Sequence, residues 1–490
     1  MTQPSLNRRL TTLDATFLYF EKPDQPMHIG GSMLYEGHVS RDDLARLLLE
    51  RLHRLPRYRQ KVVFPPFSLA HPTWEDDPDF DVANHIEVVA LPPPADDRVL
   101  AEVGGRAYSG MLDRRHPLWK LILLHGRPDG HTVMVWKIHH AMIDGVSGVD
   151  LTMVLHDVTP DPEPPSAPAA PWQPRPLPDP ITLLQNAVRD RLTEAAQGFT
   201  DSAFGLLRPG TISDRARQLA GAVNTALPSL IQPAPSTPFN APLSTERRFA
   251  WRALPFADVR AIRSALGGTV NDVVLTILSG ALGRYLRARG RATEGLELRA
   301  MCPVSMRRDD ERGALGNLVS VMIAPLYVGI ADPVERLAAE RSAMERLKAQ
   351  DQAGGLYSLQ QFLNGIPAAW QAFAGQLTVP QTLFNTVSTN VPGPQIPLYL
   401  GGHRLLDWVP LGICSTGVGL FVAILSYDRR LTFGLTFDPT LIPDGWALAQ
   451  CLGESFVELR DAAERAAPAA FTGVAAPDTG ATSRRQEVAP

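Results

Sequence analysis

A proline-rich segment divides this chain of 490 residues into two parts. Prolines recur through residues 159–180, among them Pro160, Pro162, Pro164, Pro165, Pro168, Pro171 and Pro174. Because proline fixes φ and has no amide hydrogen to donate, such a segment forms neither a helix nor a central strand. We therefore expect four regions: a first domain (1–158), a connector with crossover helices (159–248), a second domain (249–470) and a disordered tail (471–490).

Composition narrows the class of protein. A chain with 44% hydrophobic and 20% charged residues is typical of a soluble globular protein with a sizeable core. The net charge of −4 argues against nucleic-acid binding, which needs clustered positive charge. Cys302, Cys414 and Cys451 are far apart in the chain, which predicts no disulfide framework and no metal site and fits a reducing cytoplasm.

No signal peptide and no run of about 18 apolar residues is visible, so we expect no spanning helix. Helical spacing of apolar residues predicts helices over 41–53, 181–196 and 212–227. The last two are moderately amphipathic, and packing between the two parts of the chain is a better interpretation than membrane contact. The second domain mixes strands and helices without a regular βαβ rhythm, which indicates a mixed α+β fold.

A histidine pair, His139 and His140, stands where a predicted β-hairpin ends. The apolar segments 119–124 and 132–138 flank the turn 127–130, which carries proline and glycine where a hairpin needs them. A histidine at such a strand end can accept the proton of an alcohol as its oxygen attacks a thioester, a contribution of roughly 10²- to 10⁴-fold. The alternative is structural, with one histidine packed and the other solvated.

The full motif is His139-His140-Ala141-Met142-Ile143-Asp144-Gly145, or HHxxxDG, and it resembles the active-site motif of a broad acyltransferase superfamily. That superfamily contains chloramphenicol acetyltransferase, plant alcohol acyltransferases, condensation domains of peptide synthetases and bacterial wax ester synthase/diacylglycerol acyltransferases. Other segments are similar to those of the last family: Leu13–Leu18, Pro26–His28, Pro117–Trp119, Asn271–Asp272, Met301–Arg307, Gly316–Asn317 and Asn390–Pro394. The resemblance extends from about residue 10 to about residue 465.

This resemblance implies two chloramphenicol-acetyltransferase-like domains whose mixed sheets flank a central channel. It also implies acyl-CoA as co-substrate with no bound cofactor or metal, and diacylglycerol or a long-chain alcohol as acceptor. An insoluble acceptor implies a cytoplasmic protein that associates peripherally with a membrane or with lipid inclusions. In this interpretation His140 is the base and His139 is packed beside it.

The two remaining residues of the motif have predicted structural roles. Asp144 lies beyond the strand, so we expect it to hold the loop through a buried ion pair, and Gly145 allows a tight turn. Arg307 is a candidate partner for Asp144, as in related enzymes. It is equally well interpreted as a surface arginine, and Arg308 competes for the same role.

Further candidates lie in the other family segments. Asn271 and Asp272 begin a predicted helix, where capping is a better interpretation than catalysis. Ser388 and Asn390 can present a donor to an oxyanion or simply form a turn. Pro117, Leu118 and Trp119 are substrate-channel candidates, although Trp119 in an apolar strand is typical of a core residue.

Several enzyme motifs are missing: GxSxG, GxxxxGK, HExxH and a GxGxxG after a strand. Without an activated nucleophile, we expect the acceptor to attack the acyl donor directly in a ternary complex. Two alternatives remain open: acylation of another alcohol or amine, as in polyketide-linked acyltransferases or condensation domains, and a non-catalytic lipid-binding protein of the same fold.

Overall fold

A computed structural model describes residues 8–143, 152, 154–162, 171–189, 233–305, 319–349 and 383–471. Over these ranges the chain forms two large mixed β-sheets with helices packed against them. Both sheets contain parallel and antiparallel pairs, so the predicted mixed α+β architecture is confirmed. The boundaries at residues 158 and 249 stay predictions.

The first part of the chain contains these elements: α1 (Thr12–Phe20), β1 (His28–Tyr35), α2 (Arg41–Arg51), β2 (Gln60–Val63), β3 (Thr73–Asp76), β4 (Ile86–Ala90), α3 (Asp97–Ser109), β5 (Trp119–His125) and β6 (Thr132–His139). Local chemistry sets the helix starts. The Thr11 side chain accepts from the Asp14 amide ahead of α1, and the Ser40 side chain accepts from the Asp43 amide ahead of α2. The helix predicted over 41–53 is confirmed as α2, followed by a short 3-10 turn.

The second part of the chain contains these elements: β7 (Arg248–Pro255), α4 (Phe256–Leu266), α5 (Val270–Ala288), β8 (Leu298–Ser305), β9 (Val319–Leu326), α6 (Pro333–Ala349), β10 (Thr386–Pro392), β11 (Tyr399–Leu400), β12 (His403–Leu411), β13 (Leu420–Tyr427), β14 (Arg430–Phe437) and α7 (Gly445–Ala466). Between the two parts, residues 180–189 are helical, in agreement with the start of the helix predicted over 181–196. The helix predicted over 212–227 lies outside the described residues.

Within the described ranges, each large sheet has six strands. The first has the order β11-β12-β1-β6-β5-β4, and the second has the order β7-β14-β13-β10-β8-β9. The predicted hairpin is confirmed, since β5 and β6 pair antiparallel around the turn at Gly130, whose φ is +73°. Strand β6 therefore lies inside the first sheet, between β1 and β5, and delivers the histidine pair to its end.

Strand β12 belongs to the first sheet and packs against the second one. Although it comes late in the chain, β12 pairs antiparallel with β1, from Gly30 opposite Leu411 to Tyr35 opposite Leu405. The same strand packs on β14, so closely that a β-carbon on Gly434 would collide with the carbonyl oxygen of Pro410. Glycine at position 434 thus allows the second sheet to approach the first one beside β1.

The second sheet is covered by α5, whose side chains from Val273 to Leu282 are buried. This confirms the helix predicted to begin at Asn271 and Asp272. Helix α7 packs on α5 and fills the same core. In the part of the chain that the structure describes, no single helix has the length and apolar content to cross a bilayer. Helices α4 and α5 have the required length and apolar content only when they are taken together, and their axes are bent by 102° at the break between them.

Candidate active site

The histidine pair is held by two neighbouring segments of the first sheet. The His139 amide donates to the Leu118 carbonyl at 2.9 Å, and the His140 amide donates to the Met27 carbonyl at 2.8 Å. After His139 the chain leaves β6 in a 3-10 turn over His140–Met142. The segments Pro26–His28 and Pro117–Trp119, which the sequence resemblance singled out, therefore position the two histidines.

His139 is fully buried, with a hydrogen bond at one ring nitrogen and a carboxylate near the other. Its Nδ1 accepts a hydrogen bond from the Ala141 amide at 3.1 Å. The proton of the neutral ring is therefore on Nε2, which lies 3.5 Å from Oε1 of Glu21. The ring lies between the buried carboxylate and the turn that carries His140. His139 is therefore placed to position this turn.

Glu21 follows α1 and belongs to a buried polar cluster. Its Oε2 accepts from Arg114 at 2.9 Å, and its Oε1 accepts from the Met27 amide at 3.2 Å. Burial raises the pKa of this carboxyl, but the neighbouring His139 ring and the hydrogen bond from Arg114 outweigh burial and lower the pKa to about 2. Glu21 is therefore ionised at any physiological pH.

Sequence reasoning missed Glu21 and Arg114. Both stand beside segments that it did single out: Glu21 lies five residues before Pro26, and Arg114 lies three residues before Pro117. A buried carboxylate needs a cationic partner, but no short spacing joins these two residues, which are 93 positions apart. Their pairing appears only once β1 and β5 are both neighbours of β6.

His140 is half-buried, in contrast to the packed His139, as their order along the chain predicts. Its ring stacks on Phe17 of α1, with centroids 3.9 Å apart and an interplanar angle of 18°. Nδ1 is enclosed and has no hydrogen-bond partner among the described residues. Burial of the ring is the main cause that lowers the pKa of His140 to about 4. The ring is therefore neutral at pH 7 and has a free lone pair for a proton.

A third histidine lies opposite the pair. His28 on β1 is in register with His139, and its Nε2 donates to the Tyr108 carbonyl at 2.7 Å. Burial is the main cause that lowers its pKa, to about 3. Nearby, Lys137 donates to the carbonyls of Ala107 and Gly110 at the end of α3, and burial lowers its pKa to about 8. These contacts fix β6 against α3 behind the histidine pair.

The Pro117–Trp119 segment is part of the core. The Leu118 and Trp119 side chains are at most 2% exposed. The indole of Trp119 donates to the Tyr58 carbonyl at 2.9 Å and stacks on His85 with centroids 4.1 Å apart. The prediction that Trp119 is a core residue is confirmed, whereas a role of this segment in lining a channel stays a prediction.

Asp272 completes a capping box at the start of α5. Its Oδ2 accepts from the Thr269 amide and hydroxyl, both at 2.8 Å, while the Thr269 side chain accepts from the Asp272 amide. The capping interpretation is confirmed for this residue. Asn271 is partly buried next to it. In the described ranges, neither residue forms a hydrogen bond, ion pair or ring contact with His139 or His140.

Ser388 and Asn390 lie on β10, a strand in regular parallel register with β13. The interpretation of these residues as turn formers is wrong, because the strand continues to Pro392 and pairs through both positions. Ser388 is buried and Asn390 is exposed. Their proposed donation to an oxyanion stays a prediction.

Asp144, Gly145 and Arg307 lie outside the described residues. The ion pair between Asp144 and Arg307, its alternative with Arg308 and the tight turn at Gly145 therefore stay predictions.

Comparison with known proteins shows the family to which the chain belongs. Residues 10–274 match the family model of the wax ester synthase/diacylglycerol acyltransferase catalytic domain. Residues 315–460 match the model of the C-terminal domain of the same family. The chain belongs to the wax ester synthase/diacylglycerol acyltransferase family. It is therefore an acyltransferase with the family's two-part fold.

Relatives and solved structures cover nearly the whole chain. A Mycobacterium tuberculosis protein named as a diacylglycerol O-acyltransferase is 32% identical over 475 residues, which span 93% of this chain and 98% of that one. The wax ester synthase/diacylglycerol acyltransferase of Marinobacter aquaeolei VT8 is 26% identical, with a TM-score of 0.64 over 93% of this chain and 99% of that one. The first condensation domain of the calcium-dependent antibiotic synthetase shares the fold at 15% identity, with a TM-score of 0.58 over 94% and 97% of the two chains.

Proposed function

We propose that this acyltransferase moves a long acyl chain from acyl-CoA to the hydroxyl of diacylglycerol or of a long-chain alcohol. The single observation that carries the proposal is a neutral, half-buried imidazole, His140, fixed at the end of a central strand. The names of the relatives described above, a diacylglycerol O-acyltransferase and a wax ester synthase/diacylglycerol acyltransferase, support this choice of acceptor.

The proposed reaction needs one base and no covalent enzyme intermediate. His140 accepts the proton of the acceptor hydroxyl while its oxygen attacks the thioester carbonyl carbon. The tetrahedral intermediate then collapses, the carbon–sulfur bond breaks, and the coenzyme A thiolate takes the proton from the imidazolium. The products are an ester and free coenzyme A. Acyl-CoA is thus a co-substrate, and the reaction requires no bound cofactor.

The surroundings of His140 suit this role. A base is effective only in its deprotonated form, and the lowered pKa keeps the ring neutral at working pH. Phe17 restricts the ring through stacking, while Glu21 and His139 hold the turn behind it. Such preorganisation lets the acceptor meet the thioester in a productive geometry.

We also propose that the protein binds the surface of a membrane or lipid inclusion reversibly. The proposed acceptors are nearly insoluble in water, so the enzyme must meet them at an interface. Sedimentation with liposomes before and after a salt wash tests this proposal. Release by salt supports it, whereas extraction by detergent alone contradicts reversible electrostatic binding.

The direct test of the reaction is coenzyme A release by the purified full-length protein. We expect release from oleoyl-CoA to require dioleoylglycerol or hexadecanol, with triacylglycerol or wax ester formed in equal amount. Release with a different alcohol or amine alone would support the alternative acceptor class. Lipid binding without any release would indicate a non-catalytic lipid-binding protein.

A further inference from the structure

Two buried indole N–H groups converge on one point of the first sheet. Gly31 on β1 lies opposite Trp136 on β6, and its neighbour on the other side is β12, which carries Trp408. A β-carbon on Gly31 would lie 2.7 Å from Nε1 of Trp136 and 3.0 Å from Nε1 of Trp408. Because residue 31 is a glycine, both indole nitrogens can approach the same point above the sheet.

Neither indole has a hydrogen-bond partner among the described residues, although both side chains are only 8% exposed. Buried tryptophan normally finds an acceptor for its N–H. Trp119 in the same core does so, since its Nε1 donates to the Tyr58 carbonyl. Two donors at one point, without an acceptor in the described part of the chain, are suited to bind one acceptor atom of a ligand.

The core cluster that contains the indole pair also contacts the ring that stacks on His140. Trp136 and Trp408 belong to a core cluster against which Phe17 packs, and Phe17 stacks on His140. Trp408 also contacts Tyr427 of the second sheet, with ring centroids 6.1 Å apart. His139 is the third residue after Trp136 on β6, a distance of about 10 Å along the strand.

We propose that Trp136 and Trp408 bind an ester carbonyl oxygen of a diacylglycerol acceptor, and this inference rests on the proposed function. An indole only donates, so its ligand must be an acceptor. Many apolar side chains pack around the pair, which disfavours a charged group and favours a neutral oxygen with two lone pairs.

This site distinguishes the two proposed acceptor classes. Diacylglycerol carries ester carbonyls beside its reacting hydroxyl, whereas hexadecanol carries none. The scissile thioester carbonyl must lie within reach of His140, so it cannot occupy the indole site in the same complex. The indole pair therefore favours triacylglycerol synthesis over wax ester synthesis.

The experiment compares three acceptors with oleoyl-CoA as donor: dioleoylglycerol, its diether analogue with the same chains, and hexadecanol. We expect W136F and W408F each to lower kcat/KM for the diester roughly three- to tenfold, with the diether and hexadecanol unchanged. Each variant thereby loses the preference of the native protein for the diester over the diether. Because one preparation serves all three acceptors, a loss of folded protein cancels in these ratios.

The matched control is W251F, which changes a tryptophan of the second sheet that contacts Trp446. We expect it to keep the native preference. Equal loss with all three acceptors, or a raised KM for oleoyl-CoA alone, would overturn the proposal, and the latter would assign the indoles to the donor. If the native protein releases no coenzyme A, the proposed function fails. Competition between diester and diether for binding then decides the carbonyl site separately.

Discussion

Replacing Glu21 with glutamine removes a charge that holds the histidine turn in place. The carboxylate accepts from Arg114 through one oxygen, while the other accepts from the Met27 amide and faces His139. Glutamine has only one oxygen, so one of these sides meets an NH₂ group instead. If the NH₂ group faces His139, the proton of the His139 ring must move from Nε2 to Nδ1. The hydrogen bond that Nδ1 accepts from the Ala141 amide is then lost.

The structure sets the size of the expected effect. Breaking a buried ion pair costs about 3–5 kcal/mol, and we expect the lower end because the Arg114 side chain is 33% exposed and can reach water. For catalysis, loss of one charged hydrogen bond is worth about 1.5–3 kcal/mol. If the His140 turn loses that support, we expect kcat to fall roughly tenfold to a hundredfold. The KM for acyl-CoA stays close to that of the native protein, since Glu21 has no proposed contact with the donor.

The assay is steady-state coenzyme A release beside thermal unfolding. The matched control is Glu87→Gln, which breaks an exposed ion pair with Lys120 on the same sheet and should leave both measurements unchanged. In an His139→Ala background, Glu21→Gln should lower kcat little further, because both act on the same turn. A Glu21→Gln variant with native kcat, or one whose effects add fully to those of His139→Ala, would refute the positioning role.

Three further predictions concern stability and mechanism. The free energy of unfolding should fall as the pH is lowered from about 6.5 toward 4, by up to about 1.4 kcal/mol per pH unit for each buried histidine. In this window the unfolded chain binds protons that the folded chain excludes, because burial lowers the pKa values of His28, His85, His140 and His156. Chemical denaturation at a series of pH values checks this, and a flat profile would contradict it. Thr269→Ala should destabilise the protein by about 1 kcal/mol through loss of the capping box, with kcat nearly unchanged; a large fall in kcat for correctly folded protein would instead place this loop in the active site. Incubation with acyl-CoA and no alcohol should leave the intact mass unchanged, whereas a stoichiometric adduct that disappears on addition of alcohol would show an acyl-enzyme.

Sequence patterns predicted the local elements better than the contacts between distant segments. The hairpin that ends at His139, the buried helix after Asn271 and the core position of Trp119 follow from periodicity and turn residues. The pairing of β12 with β1 does not, because nothing in the pattern of residues 403–411 distinguishes a strand of the first sheet from one of the second. The same limit applies to the site. His140 stands in a recognisable motif, whereas Glu21, Arg114 and the paired indoles become neighbours only through the order of strands in the sheet.

The central claim is that His140 is the base for acyl transfer, and one comparison tests it most directly. Coenzyme A release should be nearly abolished in folded His140→Ala. His139→Ala should retain more activity or mainly lose folded yield, since that ring supports the turn. His38→Ala, at an exposed histidine, should behave like the native protein. Full activity in folded His140→Ala would contradict the proposed mechanism.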